Sequence, residues 1–462
     1  MLNQSDLIRI MDLKYKKIHF IGIGGIGMSG IAEILLRSGY KISGSDLNEG
    51  QLTKHLRSLG AQISIGHKAS NLGQAQAVVF SSAITNNNPE LETAKKKGLK
   101  LIHRGKMLAR LMSFRKSISI CGTHGKTSTT SLIYSILQKA GLDPTVVVGA
   151  YLQSIGSTAH LGQGEWIVAE ADESDRSFLE MSPDCAVITN IDLDHMDEYH
   201  DLDDLEQAFL QHMNSVPNHG QIIACADNPC LSTLLKKVHR PVITYGLSLG
   251  VDYRARRADL NWVRSSFDCW EKDHLLGRVE IPIPGQHNVL NTLASVAVGR
   301  MLKVPFSIIQ QSLKTFQNAE RRLQWKGEKE GVWVIDDYGH HPTEVQATLE
   351  ACSKAGRRLV VIFQPHRYSR TQYLMEQLDN CFANADKLYL IDIYSAGEAP
   401  IPGVNSEALA QQISKHREVI YLKDQQQILN TLWETVQSGD LLLTLGAGDV
   451  WKIGEEFLEK QN

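Results

Sequence analysis

Two glycine-rich turns, each placed between a short apolar run and a helical pattern, constrain the fold of this chain more than any other feature. The first follows KIHFI and has the form Gly22-x-Gly24-x-x-Gly27, and the second follows SISIC and runs from Gly122 to Thr127. A strand, a tight glycine turn and a helix in this order form the phosphate-binding corner of doubly wound α/β sheets. The sequence therefore predicts parallel sheets wrapped by helices.

The alternation of apolar runs and helical patterns restarts three times along the 462 residues, near KIHF, at SISICG and near GVWVIDDYGHHPTE. A single hydrophobic core does not hold a chain of this length. We therefore predict an α/β protein of three domains: a Rossmann-like parallel sheet over residues 1–112, a central P-loop ATPase-type domain over 113–321, and a C-terminal Rossmann-like domain over 322–462. The segment 241–285 is less regular than the rest.

Composition excludes several classes of protein. The net charge of -3 offers no basic field for nucleic acid, and no run of about 18 apolar residues could span a bilayer. The first 17 residues lack the apolar core of a signal peptide, and the seven cysteines are scattered without a CxxC pair. We expect a cytoplasmic protein without nucleic-acid or membrane partners, as a monomer or a dimer.

The second glycine turn has the residues that an ATP site requires. They are Gly122, Thr123, His124, Gly125, Lys126, Thr127 and Ser128. Backbone N–H groups and the helix N-terminus can hold phosphate oxygens, Lys126 can contact the transferred phosphate, and Thr127 can bind Mg²⁺. The turn is shorter than the common GxxxxGK[ST] loop, because Ile120 and Cys121, rather than a glycine, stand five and four residues before Gly125. The alternative, a glycine turn with an incidental lysine, is disfavoured by the order of strand, glycines, Lys, Thr and helix.

Acidic residues follow the next two apolar runs. WIVAEAD ends with Glu170 and Asp172, and ITNIDLDH ends with Asp192, Asp194 and His195. Because the carboxyl ends of parallel strands converge on the ligand crevice, we expect these residues near the phosphates. One carboxylate with a threonine hydroxyl is sufficient for Mg²⁺, and the histidine suggests a second metal site. Solvated loop acids and a structural histidine are the alternative.

Seven segments, together with GIGGIGMSG near the N-terminus, resemble the Mur ligase family. In order they are GTHGKTSTT, EADESD, NIDLDHMD, GQHNVLN, RRLQ, DDYGHHPTE and QPHRYSRT. They extend over nearly the whole chain, and the set is far more specific than any member. The resemblance, strongest to the alanine-adding branch, implies an ATP-dependent, ADP-forming ligase of peptidoglycan precursor synthesis. Its substrates would be UDP-N-acetylmuramate and L-alanine, joined through an acyl phosphate, with ATP as co-substrate and Mg²⁺ as cofactor.

The resemblance also implies roles for single residues. The catalytic residues would be Lys126, Glu170, His195 and Arg322, and the metal ligands Thr127, Glu170 and His195. Besides the phosphate turn, the ATP site would include Asn288 and Asn291 near the adenine and ribose, Arg322 at the phosphates, and Asp337 at the ribose. His366, Arg367 and Arg370 would hold substrate carboxylates.

The first glycine turn permits more than one interpretation. Together with Asp46 at the end of KISGSD, a GxGxxG pattern alone would indicate NAD, but UDP-sugars carry a diphosphate as NAD does. Given the resemblance, we assign Gly22, Gly24, Gly25, Gly27 and Asp46 to the UDP-sugar. Tight strand-to-helix packing without a ligand is the alternative.

One departure from the wider family is informative. Several relatives use a carbamoylated lysine about fifteen residues after the metal-binding histidine, but no lysine lies between His195 and Lys236. Metal binding must therefore be completed by other groups, which favours the alanine-adding branch. Three other functions remain open at this point: a ligase attaching a whole peptide to the same UDP-sugar, an NAD-dependent oxidoreductase, and a non-catalytic nucleotide switch.

Overall fold

The first glycine turn lies where the strand order of a parallel sheet reverses. The computed structural model describes residues 14–423 and 425–459, so most of the segment used to argue against a signal peptide lies outside the described residues. The sheet has the order β3-β2-β1-β4-β5, and all of its pairs are parallel. Its strands are β1 Lys17–Ile21, β2 Lys41–Asp46, β3 Gln62–Ile65, β4 Ala77–Phe80 and β5 Lys100–His103, with helices α1 Ile26–Arg37, α2 Gln51–Ser58, α3 Pro89–Lys96 and α4 Arg104–Met112.

The second glycine turn follows β6, in the middle of a ten-stranded mixed sheet. The order is β15-β14-β13-β12-β11-β10-β6-β9-β7-β8, with β6 to β12 mainly parallel and β13 to β15 antiparallel. Its strands are β6 Lys116–Cys121, β7 Thr145–Leu152, β8 Ser157–His160, β9 Trp166–Glu170, β10 Cys185–Ile188, β11 Gln221–Cys225, β12 Val242–Gly246, β13 Tyr253–Leu260, β14 Ser265–Glu271 and β15 His274–Ile281. Its helices are α5 Lys126–Lys139, α6 Leu202–Ser215, α7 Pro229–Leu235, α8 Gln286–Met301 and α9 Phe306–Lys314.

The third sheet has six strands in the order β16-β17-β21-β18-β19-β20, and only its edge strand β16 is antiparallel within the described residues. The strands are β16 Gln324–Lys329, β17 Val332–Asp337, β18 Arg358–Phe363, β19 Lys387–Leu390, β20 Ile420–Tyr421 and β21 Asp440–Leu445. The helices are α10 Pro342–Ser353, α11 Tyr368–Leu378, α12 Ser406–Ile413, α13 Gln425–Thr435 and α14 Trp451–Glu459. No helix within the described ranges is long and apolar enough to cross a membrane.

These three α/β units confirm the predicted fold class, while the domain boundaries stay a prediction. Helix α5, which follows the second glycine turn, is fixed in the core, because Leu132, Ile133, Ile136 and Leu137 are fully buried at helical spacing. The turn is therefore well supported. The first and central units also contact each other directly. Ser29 Oγ on α1 lies 3.2 Å from Thr158 Oγ1 on β8.

A buried polar cluster stabilises the first unit. The fully buried carboxylate of Glu90 on α3 accepts hydrogen bonds from His19 Nε2 at 2.9 Å, Ser45 Oγ at 2.6 Å and Asn71 Nδ2 at 2.6 Å. Burial alone would raise the pKa of Glu90, but the bonds from His19, Ser45 and Asn71 lower it to about 2. These bonds join β1, β2 and α3, so the charged carboxylate stabilises the sheet below the glycine turn.

We expect Glu90→Gln to destabilise the first unit by about 2 kcal/mol at pH 7, because it removes charge-assisted hydrogen bonds. The folded-state pKa lies below the ordinary value of 4.5, so the advantage of the wild type is present above pH 4.5 and shrinks as the pH falls towards 2. Hydrogen exchange of β1 and β2 amides at pH 7 and about pH 3.5 measures both effects. Glu92→Gln, at an exposed site on the same helix, is the matched control. Equal protection in the two variants at pH 7 would contradict the prediction.

Candidate active site

The second glycine turn brings Lys126 to the N-terminus of α5. Gly125 precedes the helix with φ 81°, and Gly122 has φ 129°, both in the region that favours glycine. A Cβ on Gly122 would lie 2.1 Å from Thr189 Oγ1, so no larger residue fits there. Lys126 Nζ donates to the Gly122 carbonyl at 2.7 Å and to Glu173 Oε1 at 2.7 Å. The turn thus presents amides, a helix end and an ammonium group together.

Thr127 and Glu170 lie side by side, as the sequence predicts for metal ligands. Thr127 Oγ1 donates to Glu170 Oε2 at 3.2 Å, and the Gly149 amide donates to Glu170 Oε1 at 2.7 Å. Burial raises the pKa of Glu170. Two adjacent oxygen donors beside a phosphate turn form a ligand set suited to Mg²⁺.

Glu173 is a buried acid at the phosphate turn that the sequence interpretation missed. It is fully buried beneath the turn, with Lys126 Nζ at 2.7 Å and His195 Nε2 at 3.5 Å from its Oε1. Its Oε2 has no hydrogen-bond partner in the part of the chain that the structure describes. Burial opposes protonation of His195, but the hydrogen bond to Glu173 raises its pKa. One carboxylate therefore holds both Lys126 and His195 in place.

Arg322 stands at the junction of three cavities. One of about 390 Å³ extends from the phosphate turn towards α8, a second of about 360 Å³ contains Lys126, and a third of about 420 Å³ borders the first glycine turn. Arg322 lines all three, and its guanidinium Nη1 lies 4.0 Å from Glu344 Oε1. A single cation can therefore reach ligands in each cavity.

The cavity of about 390 Å³ contains most of the residues assigned to ATP. It is lined by His124, Gly125, Ser128, Asn288, Asn291, Arg322 and Asp337, among others. Asn291 lies against the turn, since a Cβ on Gly125 would be 2.6 Å from its Oδ1, and its Nδ2 donates to Asn288 Oδ1 at 3.3 Å. The Asp337 carboxylate accepts a hydrogen bond from the Leu323 amide of its own domain at 2.8 Å. Burial raises the pKa of Asp337.

Asp46 orders the first glycine turn, because its Oδ2 accepts the Gly24 amide at 2.8 Å. Gly22 has φ 76°, and Gly25 precedes α1. A Cβ on Gly27 would lie 2.7 Å from the Nη1 atom of Arg104, a residue that the sequence interpretation also missed. Arg104 follows β5 and donates to Asp172 Oδ2 at 2.8 Å. The structure therefore adds a cation beside the glycines.

Of the three C-terminal residues assigned to substrate carboxylates, only two line the cavity that contains Lys126. His366 and Arg370 line the Lys126 cavity, and Arg370 Nη1 donates to His366 Nδ1 at 3.1 Å. Arg370 Nε also donates to Asp194 Oδ1 of the central domain at 3.2 Å. Arg367 donates to Glu398 Oε1 at 2.5 Å and does not line the Lys126 cavity; it lines a neighbouring cavity of about 710 Å³, which Arg370 lines as well. Arg370 and His366 are thus the better placed pair for a carboxylate.

Sequence models of the Mur ligases match each of the three units. The description "Mur ligase family, catalytic domain" matches residues 17–116, "Mur ligase middle domain" residues 120–299, and "Mur ligase, glutamate ligase domain" residues 321–448. Together they cover most of the chain. They match in the order in which the three sheets occur.

Whole-length relatives agree with these matches. The UDP-N-acetylmuramate–L-alanine ligase of Syntrophotalea carbinolica is 50% identical over 450 residues, covering 96% of this chain and 98% of that protein. The crystal structure of the UDP-N-acetylmuramate-alanine ligase from Thermotoga maritima superposes with a TM-score of 0.83 at 26% identity, covering 96% and 98% of the two chains. A murein peptide ligase from Psychrobacter arcticus shares the fold, with a TM-score of 0.73, 23% identity and coverage of 96% and 98%. The chain belongs to the Mur ligase family.

Proposed function

We propose that this chain is a cytoplasmic, ATP-dependent ligase that joins L-alanine to the lactyl carboxylate of UDP-N-acetylmuramate during peptidoglycan precursor synthesis. The observation that carries the proposal is the position of Arg322 where three cavities meet. An ATP γ-phosphate, a UDP-sugar carboxylate and an amine have to meet at one point for this reaction. The relatives at about 50% identity bear the name of that activity.

The donor set at the phosphate turn fits Mg²⁺. The Thr127 hydroxyl and the Glu170 carboxylate would hold one ion, and His195 would serve a second. Bound Mg²⁺ supplies positive charge that neutralises phosphoryl oxygens. Glu173 contacts His195, as a carboxylate commonly does for a metal-binding histidine, and so helps to position that ring.

The first step transfers the γ-phosphoryl group to the substrate carboxylate. A carboxylate oxygen bonds to the γ-phosphorus while the bond to the β,γ-bridging oxygen breaks, which gives an acyl phosphate and ADP. Lys126 and Arg322 neutralise the charge on the transferring group. The amides of the phosphate turn fix the β- and γ-phosphates in the cavity of about 390 Å³.

The second step forms the amide bond. The amine nitrogen of L-alanine bonds to the acyl carbon, phosphate leaves with the electron pair of the C–O bond, and the nitrogen loses a proton. Arg370 and His366 bind the alanine carboxylate on one side of the Lys126 cavity. The first glycine turn and Arg104, which line the same cavity, bind the diphosphate of the UDP-sugar. Closure of three domains excludes water that would hydrolyse the acyl phosphate.

Release of ADP and phosphate by the purified protein tests the proposal. We expect turnover with Mg-ATP, UDP-N-acetylmuramate and L-alanine, and none when either co-substrate is omitted. Release only with an L-alanyl-γ-D-glutamyl peptide would reassign the chain to ligases that attach a whole peptide. No release with any acceptor would overturn the ligase proposal, and cofactor fluorescence with NADH would then test the first glycine turn.

A further inference from the structure

Three side chains outside the proposed Mg²⁺ site converge at the junction of the central and C-terminal domains. His124 belongs to the phosphate turn, Asp192 follows β10, and His341 precedes α10. One ligand atom from each lies within 4.8 Å of the others. His124 Nε2 is 3.0 Å and His341 Nδ1 is 3.7 Å from the same oxygen, Asp192 Oδ2. The two imidazole rings are 4.6 Å apart between centroids.

The outer nitrogens of both rings are already tied to acceptors. His124 Nδ1 lies 3.3 Å from Glu344 Oε1, and His341 Nε2 lies 3.2 Å from the Leu193 carbonyl. Metal-binding histidines donate their second N–H to a carboxylate or carbonyl in this way. On His124 a metal would take the place of the Nε2 proton that is now shared with Asp192 Oδ2. At His341 Nδ1 a metal would replace the weak contact from the Thr343 amide, at 3.3 Å. At Asp192 Oδ2 the metal would share the oxygen with the Thr343 hydroxyl, which donates to it at 2.6 Å.

The geometry points to a binding site for one Zn²⁺ ion, held by His124 Nε2, His341 Nδ1 and an Asp192 oxygen. Tetrahedral ligands at about 2.0–2.1 Å from Zn²⁺ lie about 3.3 Å from one another, close to the separations around Asp192. Three protein ligands leave a fourth position for water or a phosphate oxygen. Two imidazoles favour Zn²⁺ and Co²⁺ over Mg²⁺, which prefers oxygen ligands.

This site is separate from the Thr127, Glu170 and His195 set, and its ligands come from two domains. A bound ion therefore links the phosphate turn to the C-terminal domain. His124 and Asp192 also line the cavity of about 390 Å³, so the ion and a nucleotide phosphate share one end of that cavity. Binding of the ion at these three residues does not depend on which amine the enzyme uses.

Zinc binding to the full-length protein in excess Mg²⁺ tests the inference, with isothermal titration for affinity and the visible spectrum of Co²⁺ for geometry. We expect one Zn²⁺ per chain, a tetrahedral Co²⁺ spectrum, and at least tenfold weaker binding in both Asp192→Asn and His341→Gln. His195→Gln, at the proposed Mg²⁺ site, and His340→Gln, beside the cluster, should both bind Zn²⁺ like the wild type.

Absence of stoichiometric binding, loss of binding in His195→Gln, or unchanged affinity in either Asp192→Asn or His341→Gln would overturn the site. X-ray absorption of the zinc-loaded wild type gives a second measurement that needs no variant. The spectrum should show two imidazole ligands around the zinc ion. A spectrum that indicates one imidazole ligand or none would also reject the site.

Discussion

Lys126→Ala is expected to lower kcat for ADP release by about a thousandfold, the size of effect found when a preorganised group that stabilises transition-state charge is removed. The Lys126 ammonium is mostly shielded from solvent at the N-terminus of α5, where charge interactions are stronger than in water. Burial opposes its charge, but Glu173 and Asp172 raise the pKa of Lys126, so it stays protonated at neutral pH. Steady-state turnover at saturating substrates measures the effect.

The matched control is Lys139→Ala, which removes an exposed lysine from the last turn of the same helix. It should retain wild-type turnover. Lys126→Ala also leaves the buried carboxylate of Glu173 without its cation, which is destabilising. The double variant Lys126→Ala with Glu173→Gln removes that charge as well, so it should melt closer to the wild type and still be inactive. Turnover within tenfold of wild type in a folded Lys126 variant would reject the assigned role.

The parallel strands were predictable because they are buried on both faces. The apolar run of β10, Cys185–Ile188, is buried at every position, which is the sequence pattern of a central parallel strand. The antiparallel strands β13 to β15, at one edge of the ten-stranded sheet, were missed for the opposite reason. Strand β13, YRARRADL, has three arginines, and its second half, with Arg257 and Asp259, is largely exposed, so its alternation is weak and it did not stand out as a strand.

The site was predictable where chain order fixes position. A lysine and a threonine that begin a helix after a glycine turn must lie beside that turn, so the positions of Lys126 and Thr127 could be predicted. Within EADESD, by contrast, the chain leaves the strand after Glu170, and no periodicity indicates which following acid turns inwards. Glu173 is buried because Lys126 and His195 surround its Oε1, and that environment comes from segments 47 and 22 residues away along the chain.

Glu173→Gln should lower kcat without raising the KM for ATP. The amide keeps the shape but loses the charge that aligns Lys126 Nζ, at 2.7 Å, and His195 Nε2, at 3.5 Å. We expect kcat to fall about 10- to 100-fold and the Mg²⁺ requirement to rise, as for other groups that orient metal-binding histidines. The KM for ATP should be unchanged or lower, because a phosphate no longer competes with a carboxylate for the Lys126 ammonium.

Glu180→Gln, which neutralises an exposed acid seven positions further along, controls for the loss of one negative charge and should leave all three quantities unchanged. A purely structural role for Glu173 would instead lower the melting temperature and the fraction of active enzyme, while the KM for ATP and the Mg²⁺ requirement of the folded fraction stayed constant. Active-site titration with a tightly bound nucleotide measures that fraction. Unchanged Mg²⁺ dependence together with a proportional loss of active sites would therefore show that Glu173 supports the fold rather than the reacting groups, and the positions of Lys126 and His195 would have to be set by the turn itself.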